Sequence, residues 1–426
     1  MTELNAGNIY LPELSSTGHT RTLRRFLPLY VVIFIGYVGY SLMITVFTPL
    51  LMRGDSPLLA VSDPTEKRTI ILGILLCLYP LGQFFGSPIV GSLSDHYGRK
   101  PILLVSLAAT TVCYSLIALS LSISSLPLLM AASLLAGLAE SNIVCAQGAI
   151  ADASPSSERN RFFGYIYMSV SAAYIIGPLV GGKLADPQIV PWFNYATPFW
   201  AIFILLTLTV IATAILFRET HNRRADEAVR FDKALTNLTE VFTNKRLRNL
   251  FGLNFLSYLA IFGFFRCYPM YLVDQFHLGV SRISEFIAWV GVPIVLANLW
   301  LTSWLSNRFT TKTIAVWSGL LTGVFMLLVV LPRQVNALWV TLFLTSAALA
   351  PGLPSYATLL STSASQDEQG KVMGNNQSVL VGAEALSGLI GGLLAAIMVK
   401  LSLVALGVIA ILSALLLSRY RLKTRP

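Results

Sequence analysis

The sequence predicts an all-α membrane protein with 12 transmembrane helices in two pseudo-symmetric six-helix bundles. Composition, the recurrence of spanning-length apolar runs and an internal repeat carry that reading. Of 426 residues, 55% are hydrophobic and 12% charged, against roughly 25% charged in an ordinary soluble domain. With a mean hydropathy of +0.70, the chain holds more apolar surface than one buried core absorbs, so lipid must solvate part of it.

A helix needs about 20 apolar residues to cross the hydrocarbon. Runs of that size occupy residues 26–52, 69–93, 101–123, 127–152, 162–184, 196–217, 249–273, 283–306, 312–331, 335–360, 373–399 and 402–418. They are long and continuous, without the ten-residue alternation of a barrel strand. Several contain Gly or Pro, which neighbouring helices make tolerable in a membrane. The longest polar stretch, near 218–248, separates six spans from six and reads as a linker, with an amphipathic surface helix as one form it takes. The predicted organisation is a tail over 1–25, a bundle over 26–217, the linker, a second bundle over 249–418 and a basic tail over 419–426. Residues 1–20 are polar and the first apolar run has spanning length, so no cleavable signal peptide is expected.

The formal charge of +10 does not point to nucleic acid, because the basic residues sit in short loops between apolar runs. With the N-terminus inside, about 22 Lys and Arg fall on the cytoplasmic side and about 7 on the other. Both termini are therefore expected in the cytoplasm, with the protein in a bacterial inner membrane. Cys77, Cys113, Cys145 and Cys267 lie in apolar stretches without metal-ligand spacing and read as small buried hydrophobes. No metal and no cofactor is expected.

Shifting the chain by about 210 residues lays the segment from Gly164 over that from Gly374. Gly181 and Gly182 then fall on Gly391 and Gly392, and Glu158 on Glu368. A nearby shift lays Leu93-Ser94-Asp95 over Leu305-Ser306-Asn307. Two homologous bundles imply a two-fold pseudo-axis along the membrane normal, with a solute site between them near the midplane.

Between spans two and three lies GSLSDHYGRKP, with Gly91, Leu93, Asp95, Gly98, Arg99 and Lys100. Gly91 allows close helix approach, Gly98 a tight turn, and the charges sit where the chain leaves lipid. The segment resembles the GxLaDrxGrkxxl loop signature of the major facilitator superfamily, in the position that family gives it. The resemblance implies a gating latch: Asp95 capping the start of span eleven, and Arg99 paired with Asp152 at the inner end of span four. Arg159 matches the Asp-x(6)-Arg pattern after that span. Such pairs would hold the cytoplasmic side closed and break when it opens. The second-half counterpart is degraded, with Asn307 for the acid and Thr310 for the glycine.

Gly177-Pro178-x-x-Gly181-Gly182 in span five resembles a motif of the drug:proton antiporter branches, of which the 12-helix, tetracycline-efflux-like branch is the nearest in form. The sequence departs from relatives at Ser133, where an Arg tied to proton coupling commonly stands. The resemblance implies a secondary transporter working by alternating access as a monomer, with a small-molecule substrate, protons as partner and lipid as surroundings.

Ionisable residues at membrane depth cost several kcal/mol and are functional candidates. Glu140 lies about 13 residues into span four, roughly 20 Å along it. Glu384 lies near the middle of span eleven and Arg266 in the outer half of span seven. Either carboxylate reads as the proton-coupling group or as one half of a static ion pair between bundles. Arg266 faces the cavity or snorkels past Pro269 to the surface. Tyr37, Tyr40, Asn142, Gln147 and Gln377 are candidates for lining the substrate path. The run Asn375-Asn376-Gln377 has helix capping as its other role.

Among function classes, an ATP-driven pump lacks a GxxxxGK[ST] loop and a zinc hydrolase lacks HExxH, so no enzyme is expected. Proton-coupled efflux of a small solute is the leading expectation. Its alternatives are proton-coupled uptake of a metabolite or siderophore, and a sensor that binds solute without moving it.

Overall fold

The computed structural model describes residues 16–154, 159–220, 247–364 and 369–420; side chains at 16–25, 159–160 and 369–371 are outside the description. The side chain of Arg159, most of the predicted linker, most of the C-terminal tail and the first residues of the N-terminal tail therefore lie outside the described residues. Every regular element among those described is helical. Among the described residues, twelve helices have the length and hydropathy to span: Phe26–Met52, Thr65–Tyr97, Arg99–Ser122, Leu126–Ala153, Arg161–Leu184 and Thr197–Leu216 in the first half. Arg248–Phe276, Val280–Ser306, Thr311–Leu328, Val335–Ser363, Val372–Ile397 and Val399–Arg419 form the second. Their edges fall within about four residues of the apolar runs, a spread ordinary for helix termini.

Three spans expected as continuous helices are broken. Span four consists of Leu126–Ala139 and Asn142–Ala153, with a turn at Glu140 and Ser141. The amides of Ile143 and Val144 bond three residues back, to Glu140 and Ser141, which tightens the chain there. Span ten breaks at Ala350–Pro351, between Val335–Leu349 and Gly352–Ser363, where proline supplies no amide hydrogen. The breaks of spans four and ten occupy equivalent positions in the repeat. Span eight is interrupted at Val290, between Val280–Trp289 and Gly291–Leu296, and carries a π-helical turn over Ala297–Leu301.

Within the first bundle, span one packs on span five, and span four on spans two and three; in the second, span twelve packs on seven and nine. The bundles meet where span two lies along span eleven, span five along span eight and span one along span seven. Missing side chains permit the closest of these approaches. A Cβ on Gly73 would lie 2.7 Å from the Cα of Gly392, and a Cβ on Gly182 would overlap Ser284. The repeat carries Gly182 onto Gly392, and each of these glycines meets the facing span, at Ser284 and at Gly73, so one kind of contact is made twice across the pseudo-axis.

The seal between bundles is one-sided. At the end remote from Arg99, Gly73, Gly182, Gly291 and Gly392 are pressed against the facing bundle. Toward the Arg99 end, Gly164, Gly252 and Gly374 in spans five, seven and eleven have no atom within 4 Å of where a Cβ would stand. Tyr167 and Met168, one turn from Gly164, are exposed. The bundles thus lean together at one end and part at the Arg99 end.

These packing differences predict that one substitution destabilises at one glycine and not at another. Gly137→Ala sets a methyl group into the carbonyl of Tyr79, and overpacking of this kind costs ~1–3 kcal/mol. Gly164→Ala meets open space. Thermal unfolding of the purified proteins is expected to show a lowered midpoint for Gly137→Ala alone; equal midpoints would contradict the packing described.

Candidate functional site

The site begins with two glycines. Gly137 lets the backbone of span two at Tyr79 approach span four, and Gly36 in span one leaves room for the carboxylate of Glu140. Any Cβ on Gly36 would lie 2.6 Å from Glu140 Oε1. Glu140 sits at the break of span four, 1% exposed. Its Oε2 accepts hydrogen bonds from the hydroxyls of Tyr79 and, at 3.2 Å, Tyr114. Oε1 has no hydrogen-bond partner, and no ion pair is recorded for this carboxylate among the described residues.

Across the bundle interface lies a second buried carboxylate with a cation. Arg266 Nη2 is 3.3 Å from Glu384 Oε1, and its Nη1 donates to Ser387 Oγ at 3.2 Å. Tyr40, from the opposite bundle, donates its hydroxyl to Glu384 Oε1 and accepts from Arg266 Nη2 at 2.6 Å. The ring of Tyr40 stacks on that of Tyr79, centroids 4.8 Å apart and planes 17° from parallel. Glu140, Tyr79, Tyr40, Glu384 and Arg266 therefore form one connected group that crosses between bundles. Tyr174 closes one flank, edge-on to Tyr40 and tilted against Tyr37.

All three intramembrane ionisable candidates lie in this group. Arg266 does not snorkel: it is 1% exposed, because its guanidinium turns inward to Tyr40, Glu384 and Ser387. Tyr40 bridges the bundles, whereas Tyr37 is half-buried beside Tyr174. Asn142 is directed elsewhere, donating to Thr110 at 3.2 Å inside the first bundle. Gln147 is half-buried and Gln377 exposed. Asn375-Asn376-Gln377 is not a cap, since its helix starts at Gln369; Asn376 instead accepts a hydrogen bond from Asn254 in span seven. Tyr79, Tyr114, Tyr174 and Ser387 were not legible as site residues, because a tyrosine or serine in an apolar run looks the same whether it packs or bonds.

At the loop after span two, Gly98 has φ +104°, a region that favours glycine. Arg99 Nε donates to Asp152 Oδ2 at 2.9 Å and its Nη1 lies 2.7 Å from Asp95 Oδ1. Gly148 admits the guanidinium. Glu219, after span six, accepts from the amides of Arg99 at 3.1 Å and Lys100 at 2.9 Å, placing a carboxylate at a helix N-terminus. Lys100 Nζ donates to the carbonyl of Ala214. Asp95, Arg99, Asp152 and Glu219 all belong to the first bundle, and the Arg99 pairs are intact while the bundles part at this end. Those pairs lie within the first bundle and hold the loop against span four. The antiparallel register set by Gly73 against Gly392 brings Asp95 level with the backbone of residues 369–371, in the first turn of span eleven. The equivalent loop after span eight has Thr310 capping span nine through the amide of Thr313 at 3.3 Å. In span five, Gly177 lies on Val38 and Ser41 of span one, Pro178 is buried, Gly181 lies on Leu42, and Gly182 meets span eight.

Removing one partner of a buried ion pair costs ~3–5 kcal/mol, while removing both costs far less. Arg266→Gln is accordingly expected to lower the thermal midpoint strongly, and adding Glu384→Gln to recover most of the loss. A single variant as stable as the parent would show that the pair is not formed.

A sequence profile of the Major Facilitator Superfamily matches residues 29–300 and 250–426. The chain is 30% identical over 326 residues to the class H tetracycline resistance protein of Pasteurella multocida, covering 76% of this chain and 78% of that one. It is 24% identical over 378 residues to major facilitator superfamily domain-containing protein 10 of Mus musculus, covering 81% and 82%. The crystal structure of a D-xylose-proton symporter superposes with a TM-score of 0.73 at 14% identity, over 94% of this chain and 98% of that one. Two matched bundles, a shared midplane site and these relatives lead to one conclusion: the chain belongs to the major facilitator superfamily of membrane transporters.

Proposed function

We propose that the protein exports a small solute in exchange for protons, working as a monomer with the Arg99 end and both termini in the cytoplasm. The bias of Lys and Arg, about 22 against about 7, supports that orientation. Relatives named for tetracycline resistance and the span-five motif support export. The observation that carries the coupling is the connected group of two buried carboxylates at the bundle interface.

The two carboxylates differ in how their charge is balanced. Glu384 has Arg266 beside it, so the pair is neutral as it stands. Among the described residues Glu140 has only tyrosine hydroxyls as partners, so making it neutral requires a proton. Burying an unpaired charge is costly, and Glu140 is therefore the carrier of the coupling proton in this reading. Tyr40 belongs to span one and Glu384 to span eleven, so rocking of the bundles makes and breaks their hydrogen bond. Each reorientation thus alters what surrounds Glu384 and, through the Tyr40–Tyr79 stack, what surrounds Glu140. A solute entering from the open Arg99 end meets Tyr37, Tyr174 and this group. Ser133, where relatives carry Arg, leaves Arg266 as the buried cation available to the relay.

The test uses everted vesicles with an imposed pH gradient and tetracycline as the first probe, followed by a panel of amphiphilic drugs. Export predicts drug accumulation coupled to proton release, lost in Glu140→Gln, while gradient-independent substrate exchange persists. Wild-type accumulation in both Glu140→Gln and Glu384→Gln would remove the proposed site. Solute uptake by intact cells that requires inward proton flow would reverse the direction, and binding without flux in either preparation would make the protein a sensor.

A further inference from the structure

At the sealed end the two equivalent seams between bundles differ in chemistry. Along spans five and eight, Lys183 Nζ lies 2.7 Å from Glu285 Oε1 and donates to Ser281 Oγ at 2.7 Å. Glu285 also receives Arg282, whose Nη1 is 2.8 Å from Oε2. The guanidinium of Arg282 stands 5.9 Å over the ring of Trp339 in span ten. This group lies beside the closest approach of the seam, where Gly182 meets Ser284. Lys183 belongs to the first bundle and Glu285, Ser281 and Arg282 to the second, so opening this end must pull Lys183 from Glu285.

Gly392 meets Gly73 and the Thr69 carbonyl as Gly182 meets Ser284 and the Val280 carbonyl. By that match Leu393 stands where Lys183 does, and Ile74 where Glu285 does. The seam of spans two and eleven is therefore apolar at the positions of the pair. At the Arg99 end the loop after span two carries Asp95, while its counterpart after span eight has Asn307 and Thr310.

We propose that Lys183 and Glu285 are positioning residues of the transport cycle, an ionic latch that holds the end remote from Arg99 closed along spans five and eight. The apolar seam of spans two and eleven acts at that end as the sliding contact. An ion pair suits a latch because it is directional: a small separation ends it, whereas glycine and isoleucine surfaces slide with little change. Lys183 is 44% and Glu285 27% exposed at the side chain, and pairs so placed contribute modestly. A modest latch is what reversible opening requires.

The experiment measures the opening itself and needs no substrate. In full-length protein with its four native cysteines replaced, spin labels at Ile189→Cys and Arg333→Cys, on exposed loops of opposite bundles at this end, report their separation by double electron–electron resonance. Lys183→Ala and Glu285→Ala are each expected to raise the ratio of long to short distances about threefold to fivefold. Lys183→Arg, which keeps the charge and leaves Arg282 its partner, is expected to stay near the parent. Unchanged distributions in the alanine variants, or a Lys183→Arg protein that opens like Lys183→Ala, would overturn the proposal. Loss of fold alone would not spare the charge-conserving variant. The outcome is independent of whether the transported solute leaves or enters the cell.

Discussion

A guanidinium at membrane depth is tolerable only where neighbours replace its water, and at Arg266 one of those neighbours comes from the other half of the molecule. Glu384 and Ser387 are supplied by span eleven, but Tyr40 is supplied by span one. The polar satisfaction of the second bundle therefore depends on the position of the first. That dependence ties the chemistry of the site to the arrangement of the bundles. Neither bundle alone satisfies the group, so the conformations that close the site are those with the bundles in register.

The geometry that permits this is set by absent side chains. Gly36 and Gly137 bring spans one, two and four close enough for Tyr79 to reach Glu140, and the break at Glu140 aims its carboxylate into that space. Gly73, Gly182 and Gly392 set the distance between bundles, and so the distance from Tyr40 to Glu384. Glycine supplies close approach, van der Waals contact supplies the attraction in lipid, and a few polar groups supply direction.

Much of this was legible in the sequence because its signals are coarse and physical. Spanning length and hydropathy located the helices, and the repeat located the interface. The rarity of charge in lipid picked out Glu140, Arg266 and Glu384. The rest was hidden for specific reasons. Tyr79 and Tyr114 are two of 16 tyrosines, and nothing local distinguishes a hydroxyl that meets a carboxylate from one that does not. Arg266 lies close enough to a helix end that snorkelling and burial gave the same pattern. The break in span four has no proline to announce it, whereas Pro351 marks its partner. Asn375 to Gln377 resembled a cap because the polar turns before them lengthen the helix beyond its apolar run. The Arg99 loop showed its residues but not Glu219, which accepts from the amides of Arg99 and Lys100.

The central claim is that Tyr40 and Glu384 act across the bundle interface as one unit. A double-mutant cycle on the purified protein measures this directly, with Tyr40→Phe and Glu384→Gln made singly and together and stability read by chemical unfolding. Residues in one hydrogen-bonded group are predicted to show an interaction free energy of ~0.5–3 kcal/mol. Effects that add to within ~0.3 kcal/mol would mean that the two side chains do not sense each other, and the connection between the carboxylates would be lost with them.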